Sequence, residues 1–470
     1  MNLSVGTLAS VPLGLLLTGC PLTDHYQLQQ EDPAGVQMGG RSGDDPPMAG
    51  APAALGGSET GGAAVAAAGA ASVGGGDNFT SGGGGGDVEA GGNGGGETVC
   101  TTACNVERAC VANSCTSGWV GMAAPPAKLE ARSKAASVAM GKAVFVWGGQ
   151  DNDGVALNNG AIYDPTLDVW TYLLPDAGSP SPRIMATAVW TGSSSNKVIV
   201  YGGTDASGSN TFKDGAVFDV AGNSWTQLPP NSMISKRSAP FGYWDGTRAV
   251  FFGGLNGVNM LAAADRFDLK AWSTSTNMGD PGLLGYSAIA VDGTVMYLQG
   301  GVIGTTRQDK VYAYTSSSDS WASLSKSLSV RTGAFAAWDG THFVVWGGQD
   351  DVGLRSDGKA MSGMTWSDMT PSGAFSARRI GFRRSGWAFQ VKPGVIAMLG
   401  GQTSIDGSSD TLATDGATYT VESGQWTAIP EWPSLETHEY GIGVWTGEEF
   451  VVWGGRNHNV STLTGERWAP

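Results

Sequence analysis

The chain has 470 residues, of which 74 are Gly, 17 are Trp and 15% are charged. Its formal net charge of −15 argues against a nucleic-acid partner, which requires clustered cations, and against strong adhesion to anionic lipid. Because each Gly inside a helix costs about 1 kcal/mol relative to Ala, the composition favours short strands and tight turns over a helical enzyme.

The first 20 residues have the features of an export signal. An apolar segment runs from Val11 to Leu17, which is much shorter than the about 20 residues of a membrane-spanning helix. It ends in Leu17-Thr18-Gly19-Cys20, which resembles the lipobox of bacterial lipoproteins, where the Cys becomes the lipidated N-terminus. With Pro21 following, the resemblance implies an exported protein anchored through Cys20 at the outer membrane or cell surface. The alternative is an ordinary cleaved signal with an incidental Cys.

Residues 21–99 contain few large apolar side chains, and residues 74–97 are mostly Gly. Such a segment cannot bury enough surface to offset the entropy lost on ordering, so we predict a disordered Gly/Ala-rich linker over 21–99.

Four cysteines follow within residues 100–118. They are Cys100, Cys104, Cys110 and Cys115, the only cysteines besides Cys20. An even number of cysteines in an exported chain predicts a small segment with two disulfides, for which three pairings are open. Since the CxxC spacing usual in zinc sites is missing, we predict no metal here.

The rest of the chain, residues 119–470, is repetitive. A glycine doublet that follows an apolar run occurs seven times: Gly148-Gly149, Gly202-Gly203, Gly253-Gly254, Gly300-Gly301, Gly347-Gly348, Gly400-Gly401 and Gly454-Gly455. A Trp follows each doublet, at Trp170, Trp225, Trp272, Trp321, Trp366, Trp426 and Trp468, and Trp119 precedes the first. Each unit contains four short apolar runs separated by turn residues, which predicts a four-stranded antiparallel sheet. Sheets of this kind cover one another when stacked radially, so the sequence predicts an all-β propeller of seven blades, with six or eight as alternatives.

The doublets, the aromatic-Asp pairs such as Tyr163-Asp164 and Phe218-Asp219, and the following Trp resemble the kelch repeat. The resemblance covers about three quarters of the chain and implies a kelch-type propeller. Whether a strand near Trp119 joins the last blade to close the ring is open.

One face of such a propeller carries the long loops between strands 2 and 3 and the connections between blades. Variable loops on a rigid frame are the usual place for recognition. Similar positions near this mouth hold the candidate ligand-binding residues Arg132, Arg183, Arg237, Arg331, Arg379 and His438. A ring of guanidinium groups suits a carboxylate or sugar acid, whereas the alternative is that each Arg binds blade carbonyls or loop carboxylates.

Catalytic patterns are weak. The sequence has no HExxH, GxSxG, phosphate loop or dinucleotide fingerprint, and we predict no catalytic residue, metal or cofactor. His438 and Glu439 form one acid–base pair near the mouth. Trp190, Trp244, Trp338 and Trp445 recur before the turn between strands 1 and 2 and are expected to pack between blades, with sugar stacking as the alternative.

These observations predict a surface-tethered, non-enzymatic propeller that binds a protein or glycan outside the cell, is monomeric, and meets the membrane only through its lipid anchor. The alternatives are an extracytoplasmic sugar isomerase (mutarotase-like) or hydrolase that uses the channel mouth, and a structural envelope component.

Overall fold

The computed structural model describes residues 109–111, 114–116, 118–275, 281–282, 285–369, 386–404, 410–432, 438, 440–457 and 460–470. Seven four-stranded antiparallel sheets lie between Gly118 and Ala469, which confirms the predicted seven-bladed propeller with four strands per blade. In the part of the chain that is described, we find no helix of the length and apolarity needed to cross a membrane.

The first three strands are β1 (Ala109–Val111), β2 (Ser114–Thr116) and β3 (Gly118–Gly121). Strands β1 and β2 form a hairpin whose backbone register sets Cys110 opposite Cys115. Cys20, Cys100 and Cys104 lie outside the described residues.

Six blades follow one another along the chain, each ordered from the propeller axis outward. Blade 1 consists of β4 (Ala136–Met140), β5 (Ala143–Trp147), β6 (Gly160–Asp164) and β7 (Val169–Leu173). Blade 2 consists of β8 (Thr187–Trp190), β9 (Lys197–Tyr201), β10 (Gly215–Asp219) and β11 (Ser224–Gln227). Blade 3 consists of β12 (Phe241–Trp244), β13 (Ala249–Phe252), β16 (Ala264–Phe267) and β17 (Trp272–Thr274), with the hairpin β14 (Leu255–Asn256) and β15 (Asn259–Met260) between its second and third strands.

The later blades follow the same plan. Blade 4 consists of β18 (Ala288–Val291), β19 (Val295–Gln299), β22 (Val311–Thr315) and β23 (Ser320–Leu324), with the hairpin β20 (Val302–Ile303) and β21 (Thr306–Arg307). Blade 5 consists of β24 (Phe335–Trp338), β25 (Phe343–Trp346), β26 (Gly358–Ser362) and β27 (Thr365–Met369). Blade 6 consists of β28 (Trp387–Lys392), β29 (Val395–Leu399), β32 (Gly416–Thr420) and β33 (Gln425–Ile429), with the hairpin β30 (Gln402–Ser404) and β31 (Asp410–Leu412).

Blade 7 closes the ring by joining the two ends of the propeller. Its inner strands are β34 (Ile442–Trp445), β35 (Phe450–Trp453) and β38 (Gly465–Ala469), with the hairpin β36 (Arg456–Asn457) and β37 (Val460–Ser461). Its outermost strand is β3, in which Trp119 pairs with Trp468 of β38. Trp468 therefore lies on the third strand of its blade, whereas the Trp that follows the doublet in the other six blades lies on the fourth. It takes the third-strand position that Tyr163 has in blade 1, and Trp119 supplies the fourth-strand Trp.

Blades pack on one another largely through aromatic side chains. The Trp of a fourth strand lies against the end of the second strand in the preceding blade, with ring centroids 4.8–5.6 Å apart in the pairs Trp147–Trp225, Tyr201–Trp272, Phe252–Trp321, Trp346–Trp426 and Trp453–Trp170. Aromatic pairs of this kind contribute about 0.5–1.5 kcal/mol each beyond the area they bury. The hydrophobic core is therefore divided into clusters that each span two neighbouring blades.

Blade 4 departs from this pattern at Gln299, which stands where the other blades have Trp, Tyr, Phe or Leu. Gln299 is 1% exposed, and neither Oε1 nor Nε2 has a hydrogen-bond partner among the described residues. A buried polar group without a partner costs about 1–3 kcal/mol. We expect Gln299→Leu to raise the free energy of unfolding by about 1 kcal/mol, measured by urea denaturation of the full chain.

Gln390 provides a matched control for this prediction. Its Nε2 donates a hydrogen bond to the backbone oxygen of Asp339 in the neighbouring blade. Gln390→Leu removes a bond that is made, so it should lower the free energy of unfolding. Equal effects of the two substitutions would contradict the assignment of Gln299 as an unpaired amide.

Several tyrosine hydroxyls are buried inside the blades. Burial is the largest cause of the raised pKa of Tyr163, Tyr201, Tyr243 and Tyr314, and it raises the pKa of Tyr297 to about 12, with Asp292 adding to the shift. A group whose pKa is raised by folding stabilises the native state below its unfolded pKa of about 10, and this contribution is lost as the pH rises further.

We therefore expect the free energy of unfolding to fall above pH about 10. The tyrosinate absorbance should increase at a higher pH than it does for free tyrosine. The buried fraction should ionise only as the protein unfolds, which a parallel record of absorbance and fluorescence would follow. A single ionisation step near pH 10 for all eleven tyrosines, with the fold intact, would contradict this result.

Candidate functional site

The arginines predicted to surround the channel mouth are buried. Arg132, Arg183, Arg237 and Arg331 each precede an inner strand by a few residues and are at most 1% exposed. Arg379, the fifth arginine of the predicted ring, lies outside the described residues. The four buried side chains therefore point into the blades, where their hydrogen-bond partners lie.

Each of these four guanidinium groups binds the glycine doublet of its own blade. The Nη1 nitrogen donates to the carbonyl of the first glycine over 2.7–3.0 Å, in the pairs Arg132–Gly148, Arg183–Gly202, Arg237–Gly253 and Arg331–Gly347. The same nitrogens donate to a second carbonyl just before the third strand, at Asn159, Asp214, Ala263 and Asp357 respectively. The two N–H groups of this one nitrogen are shared between the two acceptors, so the side chain joins the second and third strands of its blade.

A side-chain oxygen completes each set of partners. Nη1 or Nη2 lies 2.7–3.1 Å from a carboxylate in the pairs Arg132–Glu130, Arg183–Asp214, Arg237–Asp265 and Arg331–Asp357. These cations need such partners, because burying an unpaired charge is costly. Burial itself lowers the pKa of Arg132 to about 10 and also lowers the pKa of Arg183. In blade 3 the acid is buried as well, and desolvation raises the pKa of Asp265.

The second glycine of four doublets connects neighbouring blades. Its amide donates to the backbone oxygen of the arginine in the next blade over 2.8–3.0 Å, in the pairs Gly149–Arg183, Gly203–Arg237, Gly301–Arg331 and Gly455–Arg132. The last of these bonds joins blade 7 to blade 1. We call this unit the blade lock: an arginine side chain on its own doublet, with its carbonyl on the doublet of the preceding blade.

His438 takes the arginine's place in blade 7. Its Nδ1 lies 2.7 Å from the oxygen of Gly454, the first glycine of that doublet, and its Nε2 lies 3.0 Å from Oε2 of Glu466. Both side chains are buried. Glu439 lies outside the described residues. The His438 side chain therefore binds its own doublet as the arginines do, while its carbonyl accepts the amide of Gly441.

A ring of backbone bonds surrounds the axis at this level. Residues at equivalent positions have positive φ angles of 47–62° and include Tyr440, Lys134, Met185, Ala239, Tyr286 and Gly333. Amides of Lys134, Met185 and Ala239 each donate to the corresponding residue of the preceding blade. The side chains of Lys134, Met185, Ala239 and Tyr440 are 4–6% exposed, so the mouth has no open funnel at these blades.

Above this ring, every blade extends a short hairpin beyond its doublet. The first residue after each doublet pairs across the hairpin, in the pairs Gln150–Ala156, Thr204–Thr211, Leu255–Met260, Val302–Arg307, Gln349–Leu354, Gln402–Leu412 and Arg456–Ser461. We call the tips of these hairpins the crown; its described residues are 151–155, 205–210, 256–259, 303–306, 350–353, 403–404, 410–411, 457 and 460. The face that bears them is called the doublet face.

The crown carries exposed aliphatic side chains around the ring. They are Val155, Val258, Ile303, Val352 and Val460, with exposures that range from 36% at Ile303 to 90% at Val352. Of eleven strongly exposed large apolar residues in the described chain, eight lie on the doublet face, the other three of these being Leu174, Met233 and Leu463. The remaining three among the described residues, Leu167, Val169 and Met364, lie on the opposite face and its turns. Apolar exposure is thus concentrated on one face.

The tryptophans at the ends of the inner strands pack between blades, as expected. Trp338 stacks on Tyr297 with centroids 5.2 Å apart, and Trp445 stacks on Phe389 at 4.8 Å. Trp190 and Trp244 are partly buried against the core clusters of blades 1–2 and 2–3. None of the strongly exposed large apolar residues in the described ranges is aromatic.

Within the described ranges, no three His, Cys, Asp or Glu side chains come together as a metal ion would require. The sequence analysis missed the acceptors of the blade lock. Asn159, Asp214 and Asp357 share the position just before the third strand, and Asp265 and Glu466 share the second position of that strand. In two blades a spacing signal was present, since Asn159 and Asp214 each lie four residues before an aromatic residue, but Asp357 has Met361 at that position.

Comparison with known proteins identifies one family. The profile of the KLHDC2/KLHL20/DRC7 Kelch-repeats domain matches residues 94–282 and 134–328, which together cover half of the chain. The solved structure titled "Structure of YjhT" is similar with a TM-score of 0.47 and 16% identity, over 66% of this chain and 99% of that one. No curated protein matches the sequence.

Proposed function

Since this chain belongs to the kelch-repeat family, we propose that it is a non-enzymatic binding module that recognises a protein through the crown. The observation that carries the proposal is the concentration of exposed aliphatic side chains on the doublet face. Apolar exposure concentrated on one face of a domain is typical of an interaction surface, because exposure without a partner is unfavourable. Hairpins anchored on the blade locks hold these side chains on a rigid frame, which reduces the entropy lost on binding.

The side chains available favour a protein over a glycan partner. Sugars pack their C–H faces on exposed aromatic rings, and the candidate stacking residues Trp190, Trp244, Trp338 and Trp445 are packed between blades. Valine and isoleucine at the crown instead suit the apolar centre of a protein interface. A glycan partner remains an outcome of the experiment below.

The geometry gives less support to the catalytic alternatives. A sugar isomerase or hydrolase at the mouth needs an acid and a base within reach of the substrate. His438 and Glu466 are buried and bonded to each other. The four described arginines of the predicted ring bind blade carbonyls. A structural role without a partner gives no reason for the exposed aliphatic crown.

The test uses the full chain, immobilised and screened with a random-peptide library and a glycan array. A crown variant, Val155→Ser/Val352→Ser/Val460→Ser, is compared with a control that alters the opposite face, Leu167→Ser/Val169→Ser/Met364→Ser. We expect selected peptides to bind the crown variant at least about tenfold more weakly and the control unchanged. No enrichment of peptides, equal losses in the two variants, or glycan binding that survives the crown substitutions would overturn the proposal.

We propose further that the propeller is exported and held at the outer membrane or cell surface by lipid on Cys20, with residues 21–99 as the linker. The lipobox-like Leu17-Thr18-Gly19-Cys20 supports this. Mass spectrometry of the mature N-terminus should find acyl chains on Cys20, and Cys20→Ser should release the protein from membranes. An unmodified wild-type N-terminus, or equal release of both forms, would refute the anchor.

A further inference from the structure

Two neighbouring crown hairpins, those of blades 7 and 1, are joined where the ring closes. Nδ2 of Asn152 donates to the backbone oxygen of Ser461 over 3.2 Å, and the amide of Ser461 donates back to Oδ1 of Asn152 over 2.6 Å. This reciprocal pair fixes the two tips relative to each other. We call Asp151, Asp153 and Val155 of blade 1, with Val460 of blade 7, the seam patch.

The seam patch combines apolar and acidic groups in a fixed arrangement. Val155 and Val460 are 55% and 59% exposed, and Asp153 is exposed beside them. Oδ1 of Asp151 accepts the amides of Asp153 and Val155 over 3.0 and 2.8 Å, which holds the tip in one conformation. A partner would therefore meet a preorganised surface and would lose less entropy on binding.

The charge of the crown has a single sign. By sequence, its described residues include six Asp and no Lys or Arg. On blade 5, arginines compensate two of these acids, since Arg307 pairs with Asp351 and Arg355 lies 3.3 Å from Asp350. Among the described residues, no Lys or Arg forms an ion pair with Asp151, Asp153 or Asp205 on blades 1 and 2. Among the described tips, those of blades 1 and 2 therefore carry acids without an ion pair, and Asp151 interacts with Arg132 only through the longer-range Coulombic field.

The cations at the base of the seam have other contacts. Nζ of Lys134 lies 3.3 Å from Oε1 of Gln150 and 5.2 Å from the ring centre of Tyr440. The Arg456 guanidinium lies 3.4 Å from the same Gln150 oxygen and 5.8 Å from the same ring. These charges are directed into the base of the hairpins, below the tips that carry Asp153 and Val155.

We infer that the seam patch binds a polypeptide segment of the partner in which Lys or Arg lies between aliphatic residues. This inference rests on the proposed function and specifies its partner. The aliphatic residues would cover Val155 and Val460, and the cation would lie against Asp153 at the rim. Opposite charges at a rim mainly speed association and select partners, and salt screens them. An anionic lipid surface would be repelled by the same carboxylates.

The probe is a fluorescent synthetic peptide of alternating Lys and Leu, titrated onto the full chain. Reference probes replace every Lys by Glu or every Leu by Ser, and phosphatidylserine vesicles test the lipid surface. The variants are Asp153→Asn and Val155→Ser/Val460→Ser. Matched controls on the opposite face are Glu422→Gln and Leu167→Ser, which alter an exposed acid and an exposed aliphatic.

We expect each seam variant to bind the Lys–Leu peptide about tenfold more weakly than the wild type, and the two control variants to bind it as the wild type does. Neither reference peptide should bind the wild type specifically. Raising the salt from about 50 to about 500 mM should remove most of the effect of Asp153→Asn. Equal binding by wild type and seam variants, equal binding of the Glu–Leu peptide, or binding to the vesicles would overturn the inference. If the library peptides bind the seam variants normally and fail to bind only the triple crown variant, the inference about the seam patch is overturned while the proposed function stands. If they also bind the triple crown variant normally, both are overturned.

Discussion

Arg237→Met is expected to lower the free energy of unfolding by about 3–5 kcal/mol, because it leaves a buried carboxylate without its cation. Asp265 is 1% exposed, and its Oδ2 lies 2.7 Å from Nη2 of Arg237. The substitution also removes the bonds from Nη1 to the oxygens of Gly253 and Ala263. Urea denaturation of the full chain followed by tryptophan fluorescence would measure the loss, with a second probe to check that unfolding is two-state.

The control for this prediction is Lys326→Met, since Lys326 forms an exposed ion pair with Asp309 on the same face. Exposed pairs contribute about 0–1 kcal/mol. The double variant Arg237→Met/Asp265→Leu should recover part of the stability, because no uncompensated carboxylate remains. If Arg237→Met costs no more than Lys326→Met, the guanidinium does not hold the blade together.

Gly203→Ala should destabilise the protein by more than about 3 kcal/mol, for two independent reasons. The residue has a φ of 96°, a backbone angle that L-residues with a side chain rarely adopt. A Cβ placed there would lie 2.6 Å from the oxygen of Ile184, so the backbone must move. That movement would break the bond from the Gly203 amide to the oxygen of Arg237 in the next blade.

Gly257→Ala separates these two causes. Gly257 also has a positive φ, of 59°, but a Cβ there would have nothing within 4 Å. It should cost about 1 kcal/mol, the ordinary penalty for a left-handed alanine. Equal unfolding free energies for the two variants would mean that the doublet tolerates a side chain and that close approach of the backbone is not what requires glycine.

The sequence predicts the blades well because the requirement that reveals them is local. A doublet with two positive φ angles beside a neighbouring carbonyl admits only glycine, and the spacing of the doublets therefore counts the blades. Ring closure is different, since β3 and β38 are separated by the whole propeller and no local pattern records their pairing. The eighth tryptophan, Trp119, indicated an additional strand without showing where it pairs.

The candidate site was only partly predictable. The position of an arginine at the start of an inner strand follows from the repeat, but its side-chain torsions do not, so a guanidinium at the mouth and one inside the blade look alike in sequence. Its main acceptors are backbone oxygens, such as those of Gly202 and Ala263, and because every residue has a backbone oxygen the sequence does not show which of them accepts. Aliphatic residues in polar hairpins, such as Val155 within residues 150–159, were the signal for the crown.

Hydrogen–deuterium exchange of the full chain tests most directly whether the arginine positions are blade locks and the crown is the accessible surface. Amides of buried, mutually supporting bonds exchange only when the structure opens, whereas exposed tips exchange quickly. We predict slow exchange in peptides that contain Gly149, Gly203 and Gly455, and faster exchange at 151–155, 256–259 and 350–353, whose amide hydrogen bonds lie at the surface. Fast exchange at the doublets with a protected crown would contradict the account, since it would mean an open arginine ring beneath a covered face.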